Sequence, residues 1–215
     1  VIMALGLLST PTLPRYEGMD AFKGCSFHTF HWPHEPVEMA GKKVAVIGTG
    51  ATGIQVIAEI ADKVGELTVF QRRPNWSAPL NNRPISNKEM ADIRLRNFRE
   101  IFTDEEPNAE LSEYIAERIR RRVSDPMTAE KLIPRDHGFG VQRVPLESYY
   151  FEAYNRDNVH LVDISETPIE QVTESGLRTS EHDYDFDIIV YATGFDAVTG
   201  AFDGIDIRGI GGKRL

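Results

Sequence analysis

Residues 42–73 constrain the fold of this chain more than any other stretch. Val44 to Ile47 is a continuous apolar run of the kind buried in a parallel sheet, and it leads straight into Gly48-Thr49-Gly50-Ala51-Thr52-Gly53. Past the glycines the apolar period becomes helical, so that Ile54, Ile57, Ala58, Ile60 and Ala61 share one face. Leu67 to Phe70 then reads as a second strand. The pattern predicts a βαβ unit with Gly-x-Gly-x-x-Gly in its tight turn, the context in which that motif signals dinucleotide binding. Gly48 permits the turn, Gly50 lets backbone approach a pyrophosphate, and Gly53 lets helix and strand pack closely. The amides opening the helix, at the positive end of its dipole, hold the anion. Gly48, Thr49, Gly50, Ala51, Thr52, Gly53, Ile54 and Gln55 are the candidate cofactor-binding residues.

The end of the second strand chooses the dinucleotide. An NAD site places Asp or Glu there for the ribose hydroxyls, whereas an NADP site places Arg for the 2′-phosphate. Here the positions are Gln71, Arg72 and Arg73, and no carboxylate is expected in reach. A guanidinium grips a phosphate through two parallel hydrogen bonds. Arg72 and Arg73 therefore point to NADP(H).

A length of 215 residues predicts one domain with room for a substantial core. The net charge of −9 argues against a nucleic-acid partner or an anionic membrane surface. The basic run Arg118-Ile119-Arg120-Arg121-Arg122 lies in a helical stretch among acids and reads as a solvated face. With a single cysteine, Cys25, no internal disulfide forms, which fits a reducing, cytoplasmic setting. No apolar run approaches the length of a bilayer span. The apolar start, residues 1–8, lacks a basic leader and reads as a strand belonging to a longer protein.

Elsewhere the organisation is coarser. Residues 75–135 read as a mainly helical insertion, with helices over Asn87–Phe102, Asn108–Val123 and Pro126–Leu132. Trp76, in a loop rich in Pro and Asn, reads as an aromatic anchored at the surface. Leu146–Tyr154 is expected to be a helix whose aromatics enter the core, and Val159–Val162 a strand extending the sheet. Ile169–Thr173 and Leu177–Thr179 read as a β-hairpin, and Asp187–Phe195 as a buried strand ending in Ala-Thr-Gly. Residues 1–14 and 187–200 are expected to be strands linking to a further domain. His28, His31 and His34 lie in an extended segment without a fourth ligand nearby, so no metal is expected there. The fold class is α/β: a Rossmann-like dinucleotide-binding domain with a helical insertion and a β-hairpin or meander.

Phe22-x-Gly24-x-x-x-His28-x-x-x-Trp32-Pro33, placed just before the glycine motif, resembles the fingerprint of Baeyer–Villiger monooxygenases, the class B flavoprotein monooxygenases. The resemblance covers about residues 1–210 and implies a two-dinucleotide flavoprotein. FAD would be held mainly outside this chain and NADPH within it, and a ketone and O2 would be converted to an ester or lactone. It also implies a conformational role for His28 and Trp32 in coupling the FAD and NADPH domains. The family's Lys-Arg pair falls on Gln142 and Arg143. Arg143 would steady negative charge beside flavin and substrate, and Gln142 removes one cation from the 2′-phosphate site. Two other readings stay open: an N- or S-oxygenating relative of the same class, and a non-catalytic NADP-binding module.

Overall fold

The computed structural model describes residues 6, 8–80, 103–197 and 199–213. The chain enters its main sheet with β1 (Cys25–His28), followed by β2 (Lys43–Ile47), α1 (Ala51–Ile60) and β3 (Glu66–Gln71), the βαβ unit expected from the glycine motif. Adding β6 (Val159–Asp163) and β10 (Ile188–Tyr191) gives five parallel strands in the order β1-β10-β2-β3-β6. The strand order reverses around β2, so the crevice beyond its carboxyl end is the switch point where open α/β sheets bind ligands. One register row crosses the whole sheet at that edge: His28, Tyr191, Ile47, Phe70 and Val162.

Both faces of the sheet are covered, which is why its central strands are apolar without alternation. Val44, Val46, Leu67, Val69, Ile188 and Val190 pack with Ile54, Ile57 and Ile60 of α1. Their sequence neighbours Ala45, Ile47, Phe70, Ile189 and Tyr191 point the other way. There they meet Ile169, Val172, Leu177 and Phe186, carried by or flanking a three-stranded antiparallel sheet. That sheet is β7 (Ile169–Val172), β8 (Gly176–Thr179) and β9 (Asp183–Asp185), the expected hairpin plus a third strand.

The helical part contains α2 (Glu105–Arg122) and α3 (Pro126–Lys131), close to the expected bounds. Asp125 caps α3 by accepting from the Thr128 amide, and Pro126 sits where its missing N–H costs nothing. The strand expected at the start of the chain and the helix Asn87–Phe102 lie outside the described residues, apart from Gly6 and Leu8.

Three expectations are corrected. Leu146–Tyr154 is not one helix. Leu146–Glu147 forms the two-residue strand β5 against β4 (Ala78–Pro79), Tyr149 takes φ 63°, and the helix is only α4 (Tyr150–Ala153). The buried Glu147 carboxylate accepts from the Tyr150 amide and ends the extended piece there. The expected burial of its aromatics does hold for Tyr150, Phe151 and Tyr154, while Tyr149 is exposed. Trp76 is not at the surface: only 2% of it is exposed, and its indole N–H donates to the His137 carbonyl at 3.0 Å. Arg122 does not belong to a solvated face, for it forks onto Glu147 and Glu152 and lies over the Phe151 ring. Among the described residues no helix is long and apolar enough to cross a membrane.

Candidate dinucleotide site

Beyond the register row of Ile47 and Phe70 opens a cleft of about 450 Å³. Its floor is the turn Ile47-Gly48-Thr49-Gly50, and Arg72, Arg73 and Gln142 line its walls with Ala192-Thr193-Gly194. The three glycines of the motif are glycine for different reasons. At Gly48 φ is 107°, and a Cβ would stand 2.5 Å from the Ala192 carbonyl oxygen. At Gly53 a Cβ would stand 2.2 Å from the Gly48 carbonyl oxygen, so helix and turn touch backbone to backbone. At Gly50, the N-cap of α1, φ is an ordinary −73° and a Cβ would meet nothing within 4 Å. The protein's own packing does not require glycine there. The open space in front of Gly50 is a cradle that a Cβ would partly fill, and it fits a backbone-bound phosphate group.

The helix end is equipped for that purpose. No side chain caps α1 and no acid sits in its first turn, so its leading amides have no intrahelical acceptor and the positive end of the dipole lies directly behind Gly50, which lines the cleft. Thr49 does not cap the helix. Its hydroxyl donates to the Arg73 carbonyl at 2.9 Å, tying the glycine turn to the basic strand end. Arg72 and Arg73 are exposed in the cleft wall, whereas Gln71 is buried, with its amide donating to the Lys131 carbonyl at 2.7 Å. Arg73 has an acidic neighbour after all: Asp136 approaches it to 3.7 Å from a distant part of the chain.

The predicted residues are thus sorted by the fold. Gly48, Thr49, Gly50, Arg72, Arg73 and Gln142 come together in one cleft. Ala51, Thr52, Gly53, Ile54 and Gln55 do not line it. The Ile54 side chain is fully buried in the core, while Thr52 and Gln55 are exposed along α1. Arg143 is exposed, with its carbonyl accepting from Asn75 at 3.2 Å, and its side chain is not among those lining the cleft. Tyr16 lines the wall without any sequence signal. Burial pushes its phenol above the ordinary value, against the pull of the Arg72 guanidinium.

The fingerprint residues are strung along β1, with Phe22 and Gly24 at its amino end beside Asp187 and His28 at its carboxyl end in the register row of Ile47 and Phe70. The Phe22 ring and the Asp187 carbonyl close around Gly24, where a Cβ would fall 2.4 Å and 2.5 Å from them. His28, 2% exposed, ends β1, and its Nδ1 accepts from the Phe30 amide at 3.1 Å. Burial holds its imidazole below the ordinary value against the pull of the Gly194 carbonyl, and His31 adds to the lowering. Trp32 meets Phe27 edge-on at 4.8 Å. Ala192-Thr193-Gly194 joins the fingerprint strand to the glycine turn. The Ala192 amide donates to the Ile47 carbonyl, and Gly194, at φ 85°, accepts from the Thr12 amide.

A glycine turn at the switch point of a doubly covered parallel sheet, with guanidinium groups at the end of the next strand, defines a Rossmann-like α/β domain. The chain belongs to the flavin-binding monooxygenase-like family, whose family model matches residues 1–204. It is 43% identical to 2-oxo-Delta(3)-4,5,5-trimethylcyclopentenylacetyl-CoA monooxygenase of Pseudomonas putida, covering all of this chain and 50% of that protein. It is 35% identical to cyclopentanone 1,2-monooxygenase of a Comamonas strain, covering all of this chain and 48% of that protein. Among solved structures, that of OTEMO in complex with FAD and NADP superposes with a TM-score of 0.89 at 43% identity, over 99% of this chain and 50% of that one. The chain therefore spans about half the length of the relatives it matches. The alignment to the Pseudomonas putida protein runs over 271 positions against 215 residues here, so that protein has positions with no counterpart in this chain.

Proposed function

We propose that this chain is the NADP(H)-binding portion of a flavin-dependent Baeyer–Villiger monooxygenase that converts ketones to esters or lactones with NADPH and O2. The segments that hold FAD lie mainly outside these residues. The observation that carries the reading is the open cradle over Gly50 facing Arg72, Arg73 and Gln142. The similarity to proteins named for cyclopentanone and cyclopentenyl substrates supports ketone chemistry. When bound, NADPH supplies a hydride to FAD, and the reduced flavin supplies the means of activating O2.

The chain's own residues bind, orient and supply charge. The first-turn amides of α1 hold the pyrophosphate, and the missing Cβ at Gly50 lets them reach it. Arg72 and Arg73 take the 2′-phosphate. Gln142 adds a neutral donor in the same wall. Arg143, next in sequence to the cleft-lining Gln142, supplies a cation for the negative charge that develops during oxygen transfer, where preorganised charge is most effective. His28, against Phe195, links β1 to the segment leaving β10, Trp32 packs on Phe27 of β1, and the two act in domain coupling. A cytoplasmic setting belongs to the same reading.

Calorimetric titration of this chain with NADP⁺ and NAD⁺ tests the binding half, with NADP⁺ expected to bind well and NAD⁺ much more weakly. The intact protein, assayed on cyclic ketones and on amines, tests the chemistry. Esters or lactones from ketones are expected, and Arg143→Ala should abolish them while leaving NADP⁺ affinity intact. Oxidation of amines alone would reject the proposed reaction.

A further inference from the structure

Asp136 stands where the sequence places no acid. Its Oδ2 lies 3.7 Å from Nη1 of Arg73, a cation of the cleft wall. Its other oxygen is held from behind, with Oδ1 2.7 Å from Nδ1 of His137. The His137 side chain is 6% exposed, and its backbone carbonyl accepts from the buried Trp76 indole. Arg73 is fixed in turn through its own carbonyl by the Thr49 hydroxyl. The carboxylate is thus anchored through its other oxygen, and the Arg73 backbone is tied to the glycine turn while its guanidinium stays exposed. The hydrogen bond from His137 holds the Asp136 carboxyl below the usual carboxylate range, with Arg73 a smaller contributor, so the group is ionised at neutral pH.

Resting on the NADP(H) reading above, we propose that Asp136 is a specificity-determining residue: its carboxylate competes with the 2′-phosphate for Arg73 and moderates the preference for NADP(H) over NAD(H). A loose pair between two half-exposed groups contributes little to holding Arg73 in place. Its fixed negative charge behind the guanidinium acts on any anion that the guanidinium binds. A 2′-phosphate feels that charge and a 2′-hydroxyl does not. The preference is therefore set by Asp136 as well as by the arginines.

The test is calorimetric titration of wild type, Asp136→Asn and Asp136→Ala with NADP⁺ and with NAD⁺ at low ionic strength. Asn keeps an acceptor for His137 and Ala does not, so a change common to both variants belongs to the charge. NADP⁺ affinity is expected to rise about threefold to tenfold in both variants, with NAD⁺ within about twofold of wild type and the gain shrinking as salt screens the charge. Asp136→Glu, which keeps the charge, is expected to hold the wild-type ratio. An NADP⁺ affinity that stays the same or falls in either neutral variant, with wild type binding NADP⁺ normally, overturns the role of Asp136 alone. A wild-type chain that binds neither dinucleotide overturns the NADP(H) reading and this inference with it.

Discussion

The imidazole of His28 meets the ring of Phe195 edge-on, with centroids 5.5 Å apart. The contact joins the end of β1 to the segment that leaves β10, and it leaves the imidazole buried, with the Gly194 carbonyl pulling on it too weakly to offset that burial. Protonating such a ring costs desolvation that the unfolded chain does not incur. The folded value lies below the ordinary 6.5, so the native state binds fewer protons than the unfolded state between the two values. His28 therefore contributes stability that is present above 6.5 and lost as pH falls through the folded value. Thermal melts at pH 7.5 and 5.0 should show a larger loss for wild type than for His28→Gln, whose amide still offers an acceptor to Phe30. Parallel losses in the two proteins would mean that His28 does not titrate in this range.

Gly50 and Gly53 separate binding from folding. A methyl group at Gly50 meets only open space, so Gly50→Ala should change stability by no more than about 1 kcal/mol, the scale of an N-cap substitution. The same methyl occupies the cradle, and dinucleotide affinity should fall at least about tenfold, roughly 1.4 kcal/mol. Gly53→Ala pushes a methyl to 2.2 Å from a backbone oxygen that has no room to retreat, and should destabilise the chain by about 1–3 kcal/mol. Chemical denaturation and calorimetry on the pair read the two effects independently.

Arg72→Ala and Arg73→Ala should each weaken NADP⁺ binding by about 1.5–3 kcal/mol, the scale of a hydrogen bond to a charged group, and hardly affect NAD⁺. Both side chains are exposed in the cleft wall, so neither change should lower the melting temperature appreciably. Equal losses for the two dinucleotides would show that the arginines read something other than the 2′-phosphate.

The parts of this fold that were legible in the sequence are those written by local pattern. The change from apolar run to glycine turn to helical period at Val44–Ile57 marks β2 and α1 to within a few residues, because strand burial and helix amphipathicity both act over neighbours. Gly48, Thr49, Gly50, Arg72 and Arg73 followed from the same stretch. What escaped was made by distant partners. Trp76 is buried because a carbonyl 61 residues away satisfies its indole. Asp136 reaches Arg73 only through tertiary folding, so the strand end looked free of carboxylates. Leu146–Tyr154 carries a helix-like apolar pattern, but the pairing of β5 with β4 and the demand of Arg122 for Glu147 override it.

Gln142 faces the cleft with Arg72 and Arg73 and is exposed. Gln142→Lys adds a cation to a wall that already carries two, and the added charge acts on the 2′-phosphate alone. The ratio of NADPH to NADH affinity should rise several-fold in calorimetry at low salt and less at high salt. A ratio that does not move would show that position 142 lies away from the phosphate.

Arg122 is the stability counterpart of the site arginines. The Glu147 side chain is 0% exposed, and Arg122 supplies two hydrogen bonds to it, at 2.6 and 3.1 Å, across 25 residues of sequence. The same guanidinium donates twice to Glu152 at 2.7 Å and stacks over Phe151 at 5.0 Å. Removing it leaves, among the described residues, a buried carboxylate hydrogen-bonded by the Tyr150 amide alone. Uncompensated buried charge is expensive, and Arg122→Met should cost about 3–5 kcal/mol of unfolding free energy. Arg121→Met, one position along on an exposed side of α2, should cost less than about 0.5 kcal/mol. Arg122→Met combined with Glu147→Gln should recover part of the loss, because the neutral amide removes the stranded charge. Urea denaturation of wild type, Arg122→Met, Glu147→Gln and the double variant measures the coupling, with Arg121→Met as the control. A double variant no more stable than Arg122→Met would mean that packing over Phe151, rather than charge pairing, is what Arg122 contributes.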